Sequence, residues 1–359
     1  MDNTLFYDIS VLPSLLKDSN PLFVTMSAKS LASADKNRVI EQIIAQKKSP
    51  HLTYSGLALP VEDIQQLYDK VKENNFSHIV AVGGGTVMDT AKILAVAFSN
   101  HIEKIEDILA TPSQFKNLKE LIFVPTTCGS GSEATRFAVV YKEKKKYSVT
   151  HESIIAQTAI LDANLLKSLP LKVRNSTVLD ALSQAIESMW AKEGTEKSRE
   201  YSKKAIALIL KGLETDNDTE KLKLFLLGSY YAGKAIDISK TTASHAISYP
   251  LTSKFGIPHG TAVFLTLPYL AELNFNAETS NLFNPLFELF KVKKITELKE
   301  TLKDIMNSLG FSTFISEYGI LEKDFESIAK DSIVPGRSDN NPVNIDVEAV
   351  IKILENANR

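Results

Sequence analysis

Residues 77–92 place three consecutive glycines between a short apolar run and an amphipathic segment. The run at 79–82 is typical of a buried parallel strand, and residues 87–98 carry the apolar period of a helix. Glycines at such a junction allow positive φ angles and a close approach to a ligand, towards which the first free N–H groups of the helix point. We therefore predict a phosphate or pyrophosphate site at Gly83, Gly84 and Gly85. The pattern alone also fits a tight turn that binds nothing, because it lacks the dinucleotide fingerprint and the P-loop ending.

Strand and helix patterns alternate on both sides of this turn. Strands are predicted at 21–26, 51–56, 79–82 and 121–124, and helices at 31–47, 61–74 and 87–98. This alternation predicts a parallel, doubly wound sheet through about residue 160. Ligands bind at the carboxyl ends of strands in such sheets, where the glycines and the Pro-Thr-Thr of 125–127 both fall. Residues 1–20 are predicted to form an edge hairpin, and 137–149 a hairpin around the basic run 142–146.

The pattern changes after residue 171, where long helical periods follow one another without a clear buried strand. We therefore predict a fold of the class α/β plus all-α. Its first domain, residues 1–165, is built on the parallel sheet. Its second domain, residues 166–359, is all-helical.

Composition excludes several classes of partner. The 359 residues carry a formal charge of -2, so there is no basic footprint for nucleic acid and no cationic face for a membrane. No apolar stretch approaches the roughly 18 residues of a membrane span, and the first residues do not resemble a signal peptide. The single cysteine, Cys128, is typical of a protein in a reducing compartment. We predict a cytoplasmic protein that binds neither nucleic acid nor membrane.

Polar residues that could hold a metal are concentrated in two stretches. His245 lies in a helical segment that Pro250 should end or kink, and His259 begins the turn into the next helix. Upstream, Asp180 and Gln184 are spaced i, i+4, so both project from one helix face. These four side chains could converge on one divalent cation. From the residues alone, a helix cap, an interhelical hydrogen bond and two structural histidines remain the alternative.

The segment after the first predicted strand bears on the nucleotide. Residues 25–29 contain no carboxylate to bind a ribose 2′-hydroxyl, whereas Lys29 could pair with a 2′-phosphate. This favours NADPH over NADH, although Lys29 alone also fits a solvated surface residue.

Five stretches in order, at 83–92, 125–141, 160–170, 179–188 and 245–260, are similar to the signatures of the iron-containing alcohol dehydrogenase family. The resemblance covers nearly the whole chain. It implies the dehydroquinate synthase-like fold, in which residues 1–165 would form a Rossmann-like, dinucleotide-binding domain and residues 166–359 an all-helical domain that carries the metal and the substrate, with the metal in the cleft between them. It also implies reversible hydride transfer between NAD(P)H and a small-molecule aldehyde or alcohol. A homodimer is expected on the same ground.

The resemblance also implies roles for individual residues. Gly83, Gly84, Gly85 and Asp89 would hold the cofactor phosphates and ribose. Thr126, Thr127 and Ser130 would line its adenine and nicotinamide-ribose side, with Lys146 reaching the nicotinamide ribose. The ligands of a divalent metal, Fe²⁺ or Zn²⁺, would be Asp180, Gln184, His245 and His259.

Two positions depart from the family pattern. Gln184 stands where the usual ligand is histidine, so we expect weaker metal binding, with the metal retained through the other three residues. Tyr249 stands where a second histidine is usual, and its hydroxyl could relay a proton beside the catalytic ligand His245.

Within the family, the stretches at 181–188 and 239–260 resemble phosphonoacetaldehyde reductases, which form 2-hydroxyethylphosphonate. Arg136, Lys240 and Lys254 flank these motifs and could meet a phosphonate. Three alternatives remain open: a general short-chain alcohol dehydrogenase of the same family, a related dehydroquinate synthase-like lyase, and a nucleotide-binding protein that has lost catalysis.

Overall fold

The computed structural model describes residues 3–56, 58–109, 119–143, 145–276, 278–334 and 336–358. They form two compact units, Met1–Leu169 with Asp216–Leu226, and Pro170–Thr215 with Leu227–Arg359. The boundary predicted between residues 165 and 166 stays a prediction, since this division also assigns residues 216–226 to the first unit.

A parallel six-stranded sheet forms the centre of the first unit, in the order β1-β8-β5-β4-β2-β3. Its strands are β1 (Thr4–Phe6), β2 (Pro21–Thr25), β3 (His51–Thr53), β4 (His78–Gly83), β5 (Glu120–Pro125) and β8 (Thr158–Ile160). The helices of this part of the chain are α1 (Leu12–Leu15), α2 (Ala28–Ala34), α3 (Val39–Lys47), α4 (Val61–Val71) and α5 (Gly85–Ser99). The predicted parallel sheet is thereby confirmed. β6 (Phe137–Lys142) and β7 (Lys145–Thr150) form the predicted antiparallel hairpin.

The sheet register brings the predicted ligand-binding turns together. Gly83 at the end of β4 lies opposite Pro125 at the end of β5. The Met26 N–H, just after β2, donates to the Val82 carbonyl across the same edge. The three loops that leave these strands therefore start side by side at one edge of the sheet.

Two local predictions are wrong. Of the range 1–20, the described residues 3–20 form no edge hairpin, because β1 pairs in parallel with β8, more than 150 residues away in sequence. The helix predicted at 31–47 is two helices, α2 and α3. The buried Asp35 separates them, because its carboxylate accepts a hydrogen bond from the Ile40 N–H at 2.7 Å, and Arg38 adopts a left-handed φ of 54°.

The rest of the chain is helical, as predicted. Its α-helices are α6 (Leu171–Trp190), α7 (Glu196–Glu214), α8 (Asp218–Ser239), α9 (Ala243–Phe255), α10 (His259–Asn274), α11 (Ser280–Phe290), α12 (Ile295–Ser308), α13 (Phe325–Ser332) and α14 (Val347–Ala357). Within the described part of residues 171–358 there is no strand. α6 packs against α7 and α10, and from Val178 to Trp190 every one of its residues is buried. The predicted fold class is confirmed.

Across the described ranges, none of the helices combines the length and the apolar character that a membrane crossing requires.

Candidate metal centre and glycine turn

One face of α6 carries polar side chains in an otherwise apolar interior. Asp180 and Gln184 are 7% and 4% exposed, and Glu187, one turn further on, is fully buried. The three positions follow the i, i+4, i+7 spacing of one helix face. Burying an acid, an amide and a second acid on one face is costly unless each has a partner. This face is therefore the natural place to look for a ligand.

α9 and α10 each contribute one histidine to this face. His245 lies in the first turn of α9, and His259 is the first residue of α10. Their ring centroids are 5.7 Å apart at an interplanar angle of 70°. Pro250 does not end α9, which continues to Phe255, so that part of the prediction is wrong.

The nitrogen and oxygen atoms of this cluster have the separations of a metal site. His245 Nε2 lies 3.4 Å and His259 Nε2 lies 3.9 Å from the same oxygen, Asp180 Oδ1. One ligand atom from each of these three residues lies within 4.8 Å of the others. Atoms that each stand ~2.1 Å from a tetrahedral centre are roughly 3.4 Å apart, so the spacing suits a divalent cation.

The hydrogen bonding of the cluster supports the same interpretation. Asp180 Oδ1, Gln184 Oε1 and His245 Nε2 are all buried, and none of them has a hydrogen-bond partner. Native proteins rarely leave three neighbouring polar atoms in this state. Since these are the atoms that a cation would bind, the residues present fit a divalent metal. The metal ligand set stays a proposal.

The buried charges of the cluster shift the pKa values of Asp180 and His245 in opposite directions. Burial alone would raise the pKa of Asp180, but His245 and His259 outweigh it and hold the pKa below its ordinary value. Burial would likewise lower the pKa of His245, but Glu187 and Asp180 overcome this and raise the pKa to about 9. A cation therefore competes with a proton for His245 Nε2.

Gly260 allows α10 to approach α6 closely at the metal cluster. A Cβ atom on Gly260 would lie 1.9 Å from the Ser176 carbonyl oxygen and 2.8 Å from the Asp180 Cβ. No such atom fits there. The glycine of the Pro-His-Gly turn thus fixes the spacing between His259 and Asp180.

Tyr249, the predicted proton relay, lies beside this cluster. Its ring is nearly parallel to that of His259, at 13° with the centroids 6.5 Å apart. The His259 side chain is 41% exposed, and Tyr249 is half-buried. Tyr249 therefore lies at the solvent-facing side of the cluster, and its role stays a prediction.

The glycine turn forms as predicted, but for a different reason. None of the three glycines has a positive φ. A Cβ on Gly83 would instead meet Val87 at 2.6 Å, and one on Gly85 would meet Ser130 at 2.9 Å. Gly83 is needed because the chain passes close to Val87 of α5, whereas Gly84 and Gly85 lie where Thr127 and Ser130 of the loop after β5 pack against the start of α5.

Asp89 is engaged within the first unit. Its carboxylate accepts hydrogen bonds from the Ser132 hydroxyl at 2.7 Å and from the Val139 N–H at 2.9 Å. Lys146 lies near enough to contribute to the pKa of Asp89. The ribose contact predicted for Asp89 stays a prediction, but these bonds suit a carboxylate that holds the loop after β5 and the β6–β7 hairpin against α5.

The other predicted nucleotide residues lie on the same edge of the sheet. The Thr126 N–H donates to the Gly83 carbonyl at 3.0 Å, and Thr126 Oγ1 lies 3.6 Å from Met26 Sδ. Lys29 is exposed in the first turn of α2. Gly83, Thr126 and Lys29 thus lie at or after the ends of neighbouring strands, and their contact with a nucleotide stays a prediction.

Glu133 is a buried carboxyl group beside this loop. It is 1% exposed, its Oε1 has no hydrogen-bond partner, and burial raises its pKa to about 7. The unfolded carboxyl ionises near pH 4.5, whereas the native one keeps its proton until about pH 7, so wild-type stability declines between these values.

At pH 8, Glu133→Gln should therefore be more stable than wild type by up to roughly 3 kcal/mol, with little difference at pH 5. Urea unfolding at both pH values measures this. Glu73→Gln, at an exposed glutamate, is the control. An equal gain in the free energy of unfolding at pH 5 and pH 8, or the same pH-dependent gain in Glu73→Gln, would contradict the prediction.

The three cations predicted to meet a phosphonate all have carboxylate partners. Arg136 pairs with Glu152 at 3.1 Å, and Lys240 pairs with Glu193 at 2.9 Å. Lys254 pairs with Asp331 and donates to the Ser327 hydroxyl at 2.7 Å. Each of the three cations is therefore already paired with a carboxylate, and their role as substrate contacts stays a prediction.

The structure adds three residues that the sequence analysis missed. Glu187 lies at i+7 from Asp180, a spacing that could have identified it. Gly260 was visible in the Pro-His-Gly turn, but its packing role needs the structure. Arg337 donates through Nη1 to the Thr241 hydroxyl at 3.0 Å. Among the residues that the structure describes, no carboxylate pairs with its guanidinium, and no motif in the sequence pointed to it.

Both halves of the chain match known family models. Residues 7–163 match the model described as iron-containing alcohol dehydrogenase, and residues 175–358 match its C-terminal counterpart. The chain is 31% identical to 4-hydroxybutyrate dehydrogenase of Clostridium kluyveri over 295 residues, 79% of this chain and 78% of that protein. It is 29% identical to phosphonoacetaldehyde reductase of Streptomyces viridochromogenes over 298 residues, 77% of this chain and 74% of the relative.

A solved structure agrees with these matches. The sulfoacetaldehyde reductase of Bifidobacterium kashiwanohense, determined in complex with NAD⁺, superposes with a TM-score of 0.87 at 25% identity. The match covers 99% of this chain and 97% of that chain. The family predicted from the five sequence stretches is confirmed.

Proposed function

This chain belongs to the iron-containing alcohol dehydrogenase family, and from that premise we propose that it reduces phosphonoacetaldehyde to 2-hydroxyethylphosphonate with a preference for NADPH. Membership makes it an oxidoreductase that uses NAD(P) and a divalent metal. The aldehyde, the choice of NADPH and the residue roles are what we propose.

The observation that supports the proposal most is the cluster of metal-ligating atoms on α6, α9 and α10. Asp180, Gln184, His245 and His259 would hold the cation, and Asp180 supplies the only negative charge among the four. A bound divalent cation would supply Lewis-acid polarisation of the carbonyl oxygen, and a reduced nicotinamide would supply the hydride.

The residues of the chain have separate tasks in this reaction. Asp180 and the two histidines would hold the cation at one fixed point of the cluster. Hydride addition to the carbonyl carbon leaves the oxygen in need of one proton. Tyr249, whose ring lies against His259 at the more exposed side of the cluster, would donate that proton from its hydroxyl and regain one from solvent.

An anionic substrate is supported by the relatives and by one arginine. The names of the three proteins compared above refer to a hydroxybutyrate, a phosphonoacetaldehyde and a sulfoacetaldehyde, and each of these compounds carries an anionic group. The Arg337 guanidinium donates a hydrogen bond to the Thr241 hydroxyl. Thr241 lies in the segment that leads into α9 and His245. A guanidinium with free N–H groups suits a phosphonate. We place the anionic end of the substrate at Arg337 rather than at Lys240 or Lys254.

The substrate assignment is tested by comparing phosphonoacetaldehyde with butanal. We expect kcat/KM with NADPH to be at least about tenfold higher for phosphonoacetaldehyde, because a charge-assisted hydrogen bond to an anion contributes roughly 1.5 kcal/mol or more. Arg337→Gln should lower kcat/KM for phosphonoacetaldehyde and leave that for butanal nearly unchanged. Cofactor oxidation at 340 nm measures both.

Three outcomes would contradict the proposal in different ways. A preference for butanal would make the protein a general short-chain alcohol dehydrogenase. Equal loss on both aldehydes in Arg337→Gln would remove Arg337 from the anion site. No oxidation of NADPH with either aldehyde, in protein loaded with Fe²⁺ or Zn²⁺, would favour a lyase or a protein without catalysis.

A further inference from the structure

Glu187 is fully buried, and both of its carboxylate oxygens accept hydrogen bonds from the same short segment. Oε2 accepts from His245 Nδ1. Oε1 accepts from the Thr242 hydroxyl at 2.7 Å and from the Ser244 N–H at 2.9 Å. Thr242 is itself held by the Trp190 indole N–H, which donates to Thr242 Oγ1 at 3.1 Å.

The chemistry of these partners requires a carboxylate at position 187. The Ser244 N–H can only donate. Thr242 Oγ1 accepts the Trp190 N–H, which leaves its own hydroxyl proton to donate to Glu187. The group at position 187 must therefore accept from both residues and still accept from the imidazole. An ionised carboxylate has acceptors only and satisfies all three donors at once.

This arrangement decides which nitrogen of His245 remains for a metal. When Nδ1 carries the proton that Glu187 accepts, the lone pair of the neutral imidazole is on Nε2. That atom lies 3.4 Å from Asp180 Oδ1 and has no hydrogen-bond partner. A histidine that binds a metal through one nitrogen commonly donates from the other to a carboxylate, which fixes the tautomer and the ring orientation.

We propose that Glu187 is a positioning residue for the metal site: its carboxylate holds His245 in the Nδ1–H tautomer and directs Nε2 towards Asp180. Glu187 touches neither cation nor substrate in this account. It also ties the start of α9 to α6 through Thr242 and Ser244, so one side chain sets both the position and the tautomer of His245. The proposal rests on the proposed function only in that a cation occupies this cluster.

Glu187→Gln tests the proposal because glutamine has nearly the same shape but only one acceptor. If its oxygen faces Thr242 and Ser244, its amide donates to Nδ1 and the proton of His245 moves to Nε2, where a metal would bind. If the amide is reversed, its N–H groups face two other donors, the Ser244 N–H and the Thr242 hydroxyl. The first orientation keeps both of these donors satisfied, so we expect it in the variant, and it opposes metal binding.

We expect Glu187→Gln to weaken the apparent Kd for Zn²⁺ by about 10- to 100-fold, measured by competition with a chromophoric chelator. A second measurement reads the tautomer directly. In ¹⁵N-histidine-labelled, metal-free protein, at a pH at which the His245 ¹⁵N shifts report a neutral imidazole, long-range ¹H–¹⁵N correlations should show the proton on Nδ1 in wild type and on Nε2 in the variant. The NMR signal does not depend on turnover.

Glu200→Gln in α7 is the matched control, because it removes the same charge from an exposed glutamate. It should bind Zn²⁺ like wild type. An unchanged Kd and an unchanged tautomer in Glu187→Gln would overturn the inference, whereas a wild-type protein that binds no Zn²⁺ at all would overturn the proposed metal site instead. If Glu187→Gln does not fold, Glu187→Asp replaces it. The shorter carboxylate should keep the Nδ1–H tautomer but bind Zn²⁺ more weakly, and a proton on Nε2 there would equally overturn the inference.

Discussion

Gly260→Ala should destabilise the protein by roughly 3 kcal/mol or more and abolish metal binding. The added Cβ would lie 1.9 Å from the Ser176 carbonyl oxygen and 2.9 Å from the Asp180 backbone nitrogen. Both are backbone atoms of α6, so no side-chain rotation can relieve the overlap. Overpacking a rigid contact commonly costs about 1–3 kcal/mol, and more where the backbone must move. α10 would have to move away from α6, which separates His259 from Asp180.

Gly256→Ala is the control for this substitution. Gly256 lies only four residues earlier, but a Cβ there would meet no atom within 4 Å. Its φ of 68° is left-handed, so alanine should cost about 1 kcal/mol through backbone strain alone. Urea unfolding and metal content should therefore separate the two variants clearly. Similar unfolding midpoints with full metal content in both would show that the close approach at Gly260 is not needed.

Asp180→Asn should remove the metal and, with it, the reductase activity. The other three proposed ligands are neutral when they bind a metal, so this variant leaves a site with no formal negative charge. Loss of a partner that only orients a ligand costs about 10- to 100-fold in metal affinity, so we expect at least about 100-fold for this direct ligand. kcat/KM should fall in parallel at a metal concentration that saturates wild type.

The control for this substitution is Asp304→Asn, which alters an exposed carboxylate of α12 and should bind metal like wild type. Metal analysis after gel filtration and NADPH oxidation measure both variants. The Lewis-acid role would be contradicted if Asp180→Asn, or wild-type protein stripped by a chelator, kept its turnover.

Local patterns in the sequence were sufficient to predict much of the fold. The apolar runs that became β2, β4 and β5 predicted a parallel sheet, because a buried parallel strand needs apolar residues on both faces. The i, i+4 spacing of Asp180 and Gln184 predicted a common face, because helix geometry leaves no other arrangement. Where a feature depends on neighbours in sequence, the prediction was close.

Several failures depend on partners that are distant in sequence. β1 could not be assigned because its neighbour, β8, begins at Thr158. The pairing of Lys240 with Glu193 and of Lys254 with Asp331 likewise cannot be read from neighbours in sequence, and the substrate role of these lysines stays a prediction.

The three glycines were predicted to supply positive φ angles, but the side chains that crowd Gly84 and Gly85 come from the loop after β5. Glu187 was missed for a similar reason. A glutamate in a helix usually faces solvent, and the donors that justify its burial lie more than 50 residues further along the chain.

The most direct test of the metal centre is anomalous X-ray scattering from crystals of the iron-loaded protein. Data collected on either side of the iron absorption edge should show a single strong peak within about 2.0–2.3 Å of Asp180 Oδ1, Gln184 Oε1, His245 Nε2 and His259 Nε2. A protein that reduces aldehydes with full activity while its anomalous map shows no peak among these four atoms would contradict the account.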